Sequence, residues 1–283
     1  DENGHFGVAI ASRFFAVGSL CVHTRRGLGA VSTQALMNPL YGQAALNLLE
    51  QGQSPSAVLA ALTAGDEGRE QRQVHVLPSQ GMAAGFTGAQ CVDWCGHLAR
   101  EGLSVAGNML AGPRVIEATA EAFERSKGMS LAERLLAAMD AGESAGGDKR
   151  GKQSAALRIH ADEDYLALDL RVDDHADPLV EMERLLKTHR AYEHMNNGDL
   201  AIENNNMTLA MQEYGTAMKM FPKNLEMQYW TAITLANGGN VQKATLMLQA
   251  IYAKEPNWRK MTKRLPKAGL LTVGEKELAL LMK

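Results

Sequence analysis

The chain has 283 residues, 46% of them hydrophobic and 22% charged, which supports a packed core and excludes a disordered chain. A net charge of −3 argues against a nucleic-acid-coating surface, and the best apolar stretch is cut by Arg13, so no membrane span is expected. Three cysteines give no disulfide framework, and a reducing, cytoplasmic compartment is the expectation.

Asp1-Glu2-Asn3-Gly4 is a hairpin-turn signal, because Asn-Gly tolerates the positive φ of a tight turn. A strand is expected over residues 6–12, and its hairpin partner would lie ahead of Asp1. Further strands are expected at 20–23 and 29–34. Residues 41–51 carry Ala44, Ala45, Leu48 and Leu49 at helical spacing. A second helix has Ser54 as N-cap, Pro55 at its first position and Gly65 past its end. Residues 73–77 and 82–86 read as a hairpin around Ser79-Gln80-Gly81. Helices follow at 113–125 and 131–141, the second opened by a capping box of Ser130 and Glu133. A hairpin of 154–160 and 165–172 precedes a helix from Pro178 through His189. Strands in hairpins and helices in pairs argue against a doubly wound parallel sheet and for a layered α+β sandwich.

From about residue 190 the signals are helical only, and a period of 34 emerges. Ala210 and Ala244, Tyr214 and Leu248, Ala217 and Ile251, and Pro222 and Pro256 fall in register. Asn197-Gly198-Asp199 and Gly238-Gly239-Asn240 are expected as inter-helix turns, the first unit then needing an insertion near residues 203–207. The pattern resembles tetratricopeptide repeats. The expected division is 1–189 and 190–283, the second part an all-α helical-repeat region. Two repeats are fewer than the ~3 of a free-standing array. The module is therefore expected to pack on the core or on another subunit, which leaves a homo-oligomer open, and to offer a groove to a protein partner.

No phosphate loop, zinc-helix motif or EF-hand loop occurs, and no metal or other cofactor is expected. Residues 102–106 look like a degraded nucleophile elbow, but the element order offers no parallel sheet to carry one. Cys91, Cys95 and His97 lack the spacing and number of a zinc site and are read as structural. Asp173, Asp174 and Asp177 are read as acidic residues at a helix N-terminus, with cation binding the alternative. The glycine-flanked charged run 146–154 could place backbone N–H groups and a guanidinium around an anion.

Several long motifs, in order over residues 1–189, carry a family resemblance. They include residues 7–18, Ser32-Thr33-Gln34-Ala35, Asn38-Pro39-Leu40-Tyr41-Gly42, Gly107-Asn108-Met109-Leu110, residues 146–157 and residues 169–175. Together they resemble domain of unknown function family 1028, which in turn resembles the N-terminal-nucleophile (Ntn) hydrolases. The resemblance implies a four-layer αββα sandwich and cleavage of a C–N amide bond in a small peptide or amino-acid derivative. It implies a Thr, Ser or Cys nucleophile at the start of the mature chain, with its α-amino group as base; here that residue is expected before Asp1. Asn108 is the candidate oxyanion donor. Arg150 is the candidate for a substrate carboxylate, with Asp148 orienting it or binding a substrate amine. Ser32 and Thr33 are expected to support the nucleophile. Gln34, Asn38, Tyr41, Gln153 and Ser154 are the expected substrate-binding residues. Acyl transfer in place of hydrolysis uses the same residues, and a non-catalytic binding protein with the same core is the alternative.

Overall fold

A computed structural model describes residues 1–283 and divides into two compact units, Asp1–Leu186 and Lys187–Lys283. The first unit is mixed α/β. One antiparallel sheet has the order β1-β8-β9, from β1 (Phe6–Ser12), β8 (Ser154–His160) and β9 (Leu166–Val172). A second, also antiparallel, runs β2 (Val22–Arg25), β3 (Gly29–Ala35), β4 (Arg72–Pro78) and β5 (Ala84–Thr87). A separate hairpin is formed by β6 (Gly96–Arg100) and β7 (Leu103–Gly107).

Helices α1 (Tyr41–Glu50) and α2 (Pro55–Ala64) pack on the second sheet. Side chains alternate along a strand, so every other residue of β3 and β4 meets these helices. Val31, Val74 and Val76 do so, with Ala45, Leu46, Leu49, Val58 and Leu59 from the helices. Ser54 caps α2 by accepting the Ala57 amide, with Pro55 at the first helical position. Helices α3 (Pro113–Arg125) and α4 (Leu131–Ser144) pack on each other, and α4 covers β1 and β8 through Leu131 and Leu136. The Ser130–Glu133 capping box opens α4. The two sheets meet through Val8, Val22 and Ala30, with Ile10 and Leu77.

Asp1–His5 closes a three-residue hairpin loop. The Gly4 amide donates to the Asp1 carbonyl at 3.1 Å, and the Asp1 nitrogen donates to the His5 carbonyl at 2.8 Å. Gly4 sits at φ 79°, the left-handed conformation of the bulge that ends such loops. Asp1 is thereby in antiparallel register with His5, at the head of β1. β1 pairs with β8 on one side only.

Helix α5 (Pro178–Glu203) is continuous beyond residue 189 and runs through Asn197-Gly198-Asp199, correcting the turn expected there. Gly198 is used for close approach: a Cβ would come within 2.4 Å of the Tyr214 ring. The turn falls at Asn205, at φ 56°, before α6 (Met207–Met220). It matches Gly239, at φ 84°, between α7 (Leu225–Asn237) and α8 (Val241–Lys254). Asn205 and Gly239 are themselves one 34-residue period apart, so no insertion is needed. The registered positions Ala210, Ala244, Tyr214, Leu248, Ala217 and Ile251 are all at most 1% exposed. Shorter helices α9 (Asn257–Thr262) and α10 (Glu275–Leu281) complete the unit. No helix is long and apolar enough to cross a membrane.

Candidate active-site cavity

A cavity of about 560 Å³ in the first unit is lined by each of residues 7–12 of β1 and each of residues 103–107 of β7. Successive side chains of a strand point to opposite faces. A cavity bordered by every residue in a run therefore follows the strand's edge, where backbone N–H and C=O groups are presented. For β1 this is the edge not taken by β8.

Of the expected site residues, Ser32, Gln34, Asn108, Asp148, Arg150 and Ser154 line this cavity. Thr33, Asn38, Tyr41 and Gln153 do not. Thr33 alternates with Ser32 and is turned the other way, its hydroxyl donating to the Asn38 carbonyl at 3.4 Å. Asn38 closes the turn into α1 by accepting the Leu40 amide at its Oδ1. Tyr41 is a core residue whose hydroxyl donates to Asp66 at 2.7 Å; burial and that carboxylate push its phenol pKa up. Gln153 donates to Asp174 at 3.2 Å. Ser154, fully buried, bridges the Phe14 carbonyl and the Val17 amide, so its hydroxyl is spent on holding that loop.

Arg150 is gripped by Asp148: Nε and Nη2 donate to the carboxylate at 3.0 and 2.7 Å, and Nη2 also reaches the Ser12 hydroxyl at 3.4 Å. Burial opposes ionisation of Asp148, but the Arg150 guanidinium and the amides of Arg13 and Arg150 outweigh it and hold the carboxyl below its usual range. The Nε/Nη2 edge of Arg150 is therefore occupied, and only Nη1 is left for an anion. Asp173 and Asp177 likewise pair with Arg171 and Lys152.

Asn108 follows β7, and its Nδ2 donates to Gln73 Oε1 at 3.2 Å. The other amide proton has no protein partner. Next to it, Met109 has φ 54°, and next to Gln34, Ala35 has φ 63°. Each left-handed non-glycine residue costs roughly 1–2 kcal/mol, and such strain clusters where side chains must be aimed.

Sequence reasoning missed the polar face beneath these residues. Gln73 is fully buried and is its hub. Its Oε1 accepts from Gln34 at 2.8 Å and from Asn108; its Nε2 donates to Thr87 Oγ1 and to the Gly96 and Gly107 carbonyls at 2.9–3.0 Å. Ser32 donates to Gln34 Oε1 at 3.0 Å. Thr87 also contacts His97 Nδ1 at 2.9 Å, and His75 Nδ1 lies 2.8 Å from Ser104 Oγ. Burial, then the neighbouring His97, lower the His75 pKa to about 4. The available signal was the alternation Gln73, His75 against Val74, Val76 in one strand.

A family model described as a family of unknown function (DUF1028) matches residues 1–182. A crystal structure of a protein from Silicibacter pomeroyi, assigned to the same family model, is 31% identical with a TM-score of 0.62, covering 66% of this chain and 80% of its own. No curated protein matches.

Proposed function

We propose, for a chain that belongs to the DUF1028 family of unknown function, an N-terminal-nucleophile amidohydrolase acting on a small peptide or amino-acid derivative. The observation that carries this reading is the hairpin register of Asp1 with His5 at the head of a strand whose other edge borders the cavity. A segment ahead of Asp1 that kept this register would pair along the 7 residues of β1 and end beside Ser12, whose hydroxyl is contacted by Arg150. Helices α1 and α2 on one of two facing sheets, and α4 with α3 packed on it on the other, support the αββα sandwich, and the 34-residue register of the second unit supports a tetratricopeptide-like module for a protein partner.

In this mechanism the nucleophile's hydroxyl attacks the amide carbonyl and its own α-amino group, titrating near ~7.7–8.0, takes the proton. The unclaimed proton of Asn108 stabilises the oxyanion, with Gln73 holding the carboxamide. Arg150, fixed by Asp148, offers Nη1 to a substrate carboxylate. The test is N-terminal sequencing and intact mass of the natural protein. A Thr, Ser or Cys at the start of a segment ahead of Asp1 is expected; a mature chain starting at Asp1 overturns the assignment.

A further inference from the structure

We propose that the end of the cavity beside Asp148 is a subsite for an apolar acyl group, and that the substrate is an α-amino acid acylated on its nitrogen by such a group. This subsite rests on the amidohydrolase reading for the reaction it serves. β1 and β7 finish side by side at Asp148: the Arg13 amide donates to Asp148 Oδ2 at 3.0 Å, Leu110 bridges to Asp148, and the Lys149 amide donates to the Met109 carbonyl at 2.8 Å. A segment lying along β1 in the register of Asp1 would begin opposite Ser12, so this end stays open when the length of β1 is covered. Around the opening three loops each present an apolar side chain to the cavity and to solvent: Phe14 after β1, Leu36 after β3 and Val92 between β5 and β6, which are 54%, 61% and 55% exposed. The Val92 carbonyl accepts from the Met109 amide at 3.0 Å, which ties that loop to the residue after Asn108. A single exposed apolar residue is ordinary, but three from separate loops at one mouth make a ligand surface.

The charged groups decide which end of the substrate is apolar. Two carboxylates line the cavity, Glu143 and Asp148. Asp148 already accepts at both oxygens: Oδ1 from the Arg150 amide and Nε, Oδ2 from Arg150 Nη2 and the Arg13 amide. Glu143 pairs with Lys152 at 3.7 Å. A free amino terminus on the acyl side therefore finds no open carboxylate, and taking an unpaired ammonium out of water is costly. A carboxylate does find a partner in Nη1 of Arg150, whose Nη2 reaches the Ser12 hydroxyl at 3.4 Å. That places the carboxylate close to the scissile bond, as the α-carboxylate of the leaving amino acid, while the acyl chain runs out over Phe14, Leu36 and Val92. In hydrolysis the C–N bond breaks, the acyl carbon takes the hydroxyl of water and the nitrogen takes its proton. A carboxylic acid and a free amino acid are released.

The probes are N-alkylsulfonylglycines, from methyl to hexyl, which keep the carboxylate and cannot be cleaved as amides, titrated calorimetrically into the natural full-length protein. Affinity should rise roughly threefold to fourfold for each methylene added. Phe14→Ser and Leu36→Ser, shown to be folded by circular dichroism, should flatten that rise. Arg150→Gln should weaken every member by roughly tenfold or more and keep the rise. Affinity independent of chain length, or a rise unchanged in both rim variants, overturns the subsite. So does a rim covered by a second copy, seen as a dimer that Phe14→Ser dissociates. Binding does not need the nucleophile, so the two readings fail separately. The expected rise without hydrolysis of acylglycines supports the subsite and counts against the amidohydrolase; hydrolysis at a rate blind to chain length, with flat binding, does the reverse.

Discussion

On one face of the β2-β3-β4-β5 sheet, Val31, Val74 and Val76 meet α1 and α2; one residue along in the same strands, Ser32, Gln34 and His75 meet the cavity, with the fully buried Gln73 hydrogen-bonded beneath them. The two faces share a backbone and differ in what they contribute. The helix face removes apolar surface from water, which stabilises the unit. The cavity face keeps polar groups out of water, which costs stability unless each has a partner. Gln73 is the residue that supplies most of those partners. Such an arrangement is a poor way to build a core and a good way to aim amides and an imidazole into a cavity.

Changes on each face break or sharpen that contrast. Gln73→Leu removes one hydrogen-bond partner each from Gln34, Asn108, Thr87 and two carbonyls and should destabilise by about 4 kcal/mol in denaturant unfolding; a neutral result would show that the polar face is not a connected network. Asn108→Ala should lower amide turnover by roughly 10²–10³ if its amide binds the oxyanion, with the melting temperature changing little. Normal turnover would remove Asn108 from the mechanism.

Leu46, 3% exposed on the helix face, should cost about 3 kcal/mol as Leu46→Ala through lost burial and a cavity. Its effect should fall on stability, with amide turnover of the folded variant unchanged. His75 gives the opposite face a pH dependence. Its folded pKa of about 4 lies below the ordinary 6.5, so the unfolded chain binds more protons between those values and stability falls as pH falls through that window. The loss is about 3 kcal/mol at most, and His75→Gln should remove it from a pH series of unfolding curves. Smallest is Ser32→Ala, which deletes one hydrogen bond to Gln34 and should cost about 1 kcal/mol in the same assay.

Much of this was legible in the residues. The strands Phe6–Ser12 and Ser154–His160 and the helix Pro113–Arg125 fall at the bounds read from pattern, and Ser54, Pro55, Ser130 and Glu133 mark their helix starts by local hydrogen bonding. The β6–β7 hairpin was not legible, because Gly96, Gly102 and Gly107 thin out its alternation and its turn at Glu101-Gly102 imitates an elbow. Asn197-Gly198-Asp199 carries turn chemistry yet is helical, because Tyr214 packs on Gly198 and donates to Asp199 at 2.6 Å. That contact is long-range and leaves no local mark. Motif position pointed to Asn108, Asp148 and Arg150, which line the cavity, whereas the hub Gln73 and the Ser104–His75 contact arise from strand registers that no single segment encodes.

The most direct measurement for the central claim is labelling of the natural full-length protein with an activity-based probe for N-terminal nucleophiles, followed by mass spectrometry of the modified residue. The account predicts one modified Thr or Ser, or a Cys, at the start of a segment ahead of Asp1, with labelling reduced in Asn108→Ala. No labelling, or labelling only within residues 1–283, would contradict it.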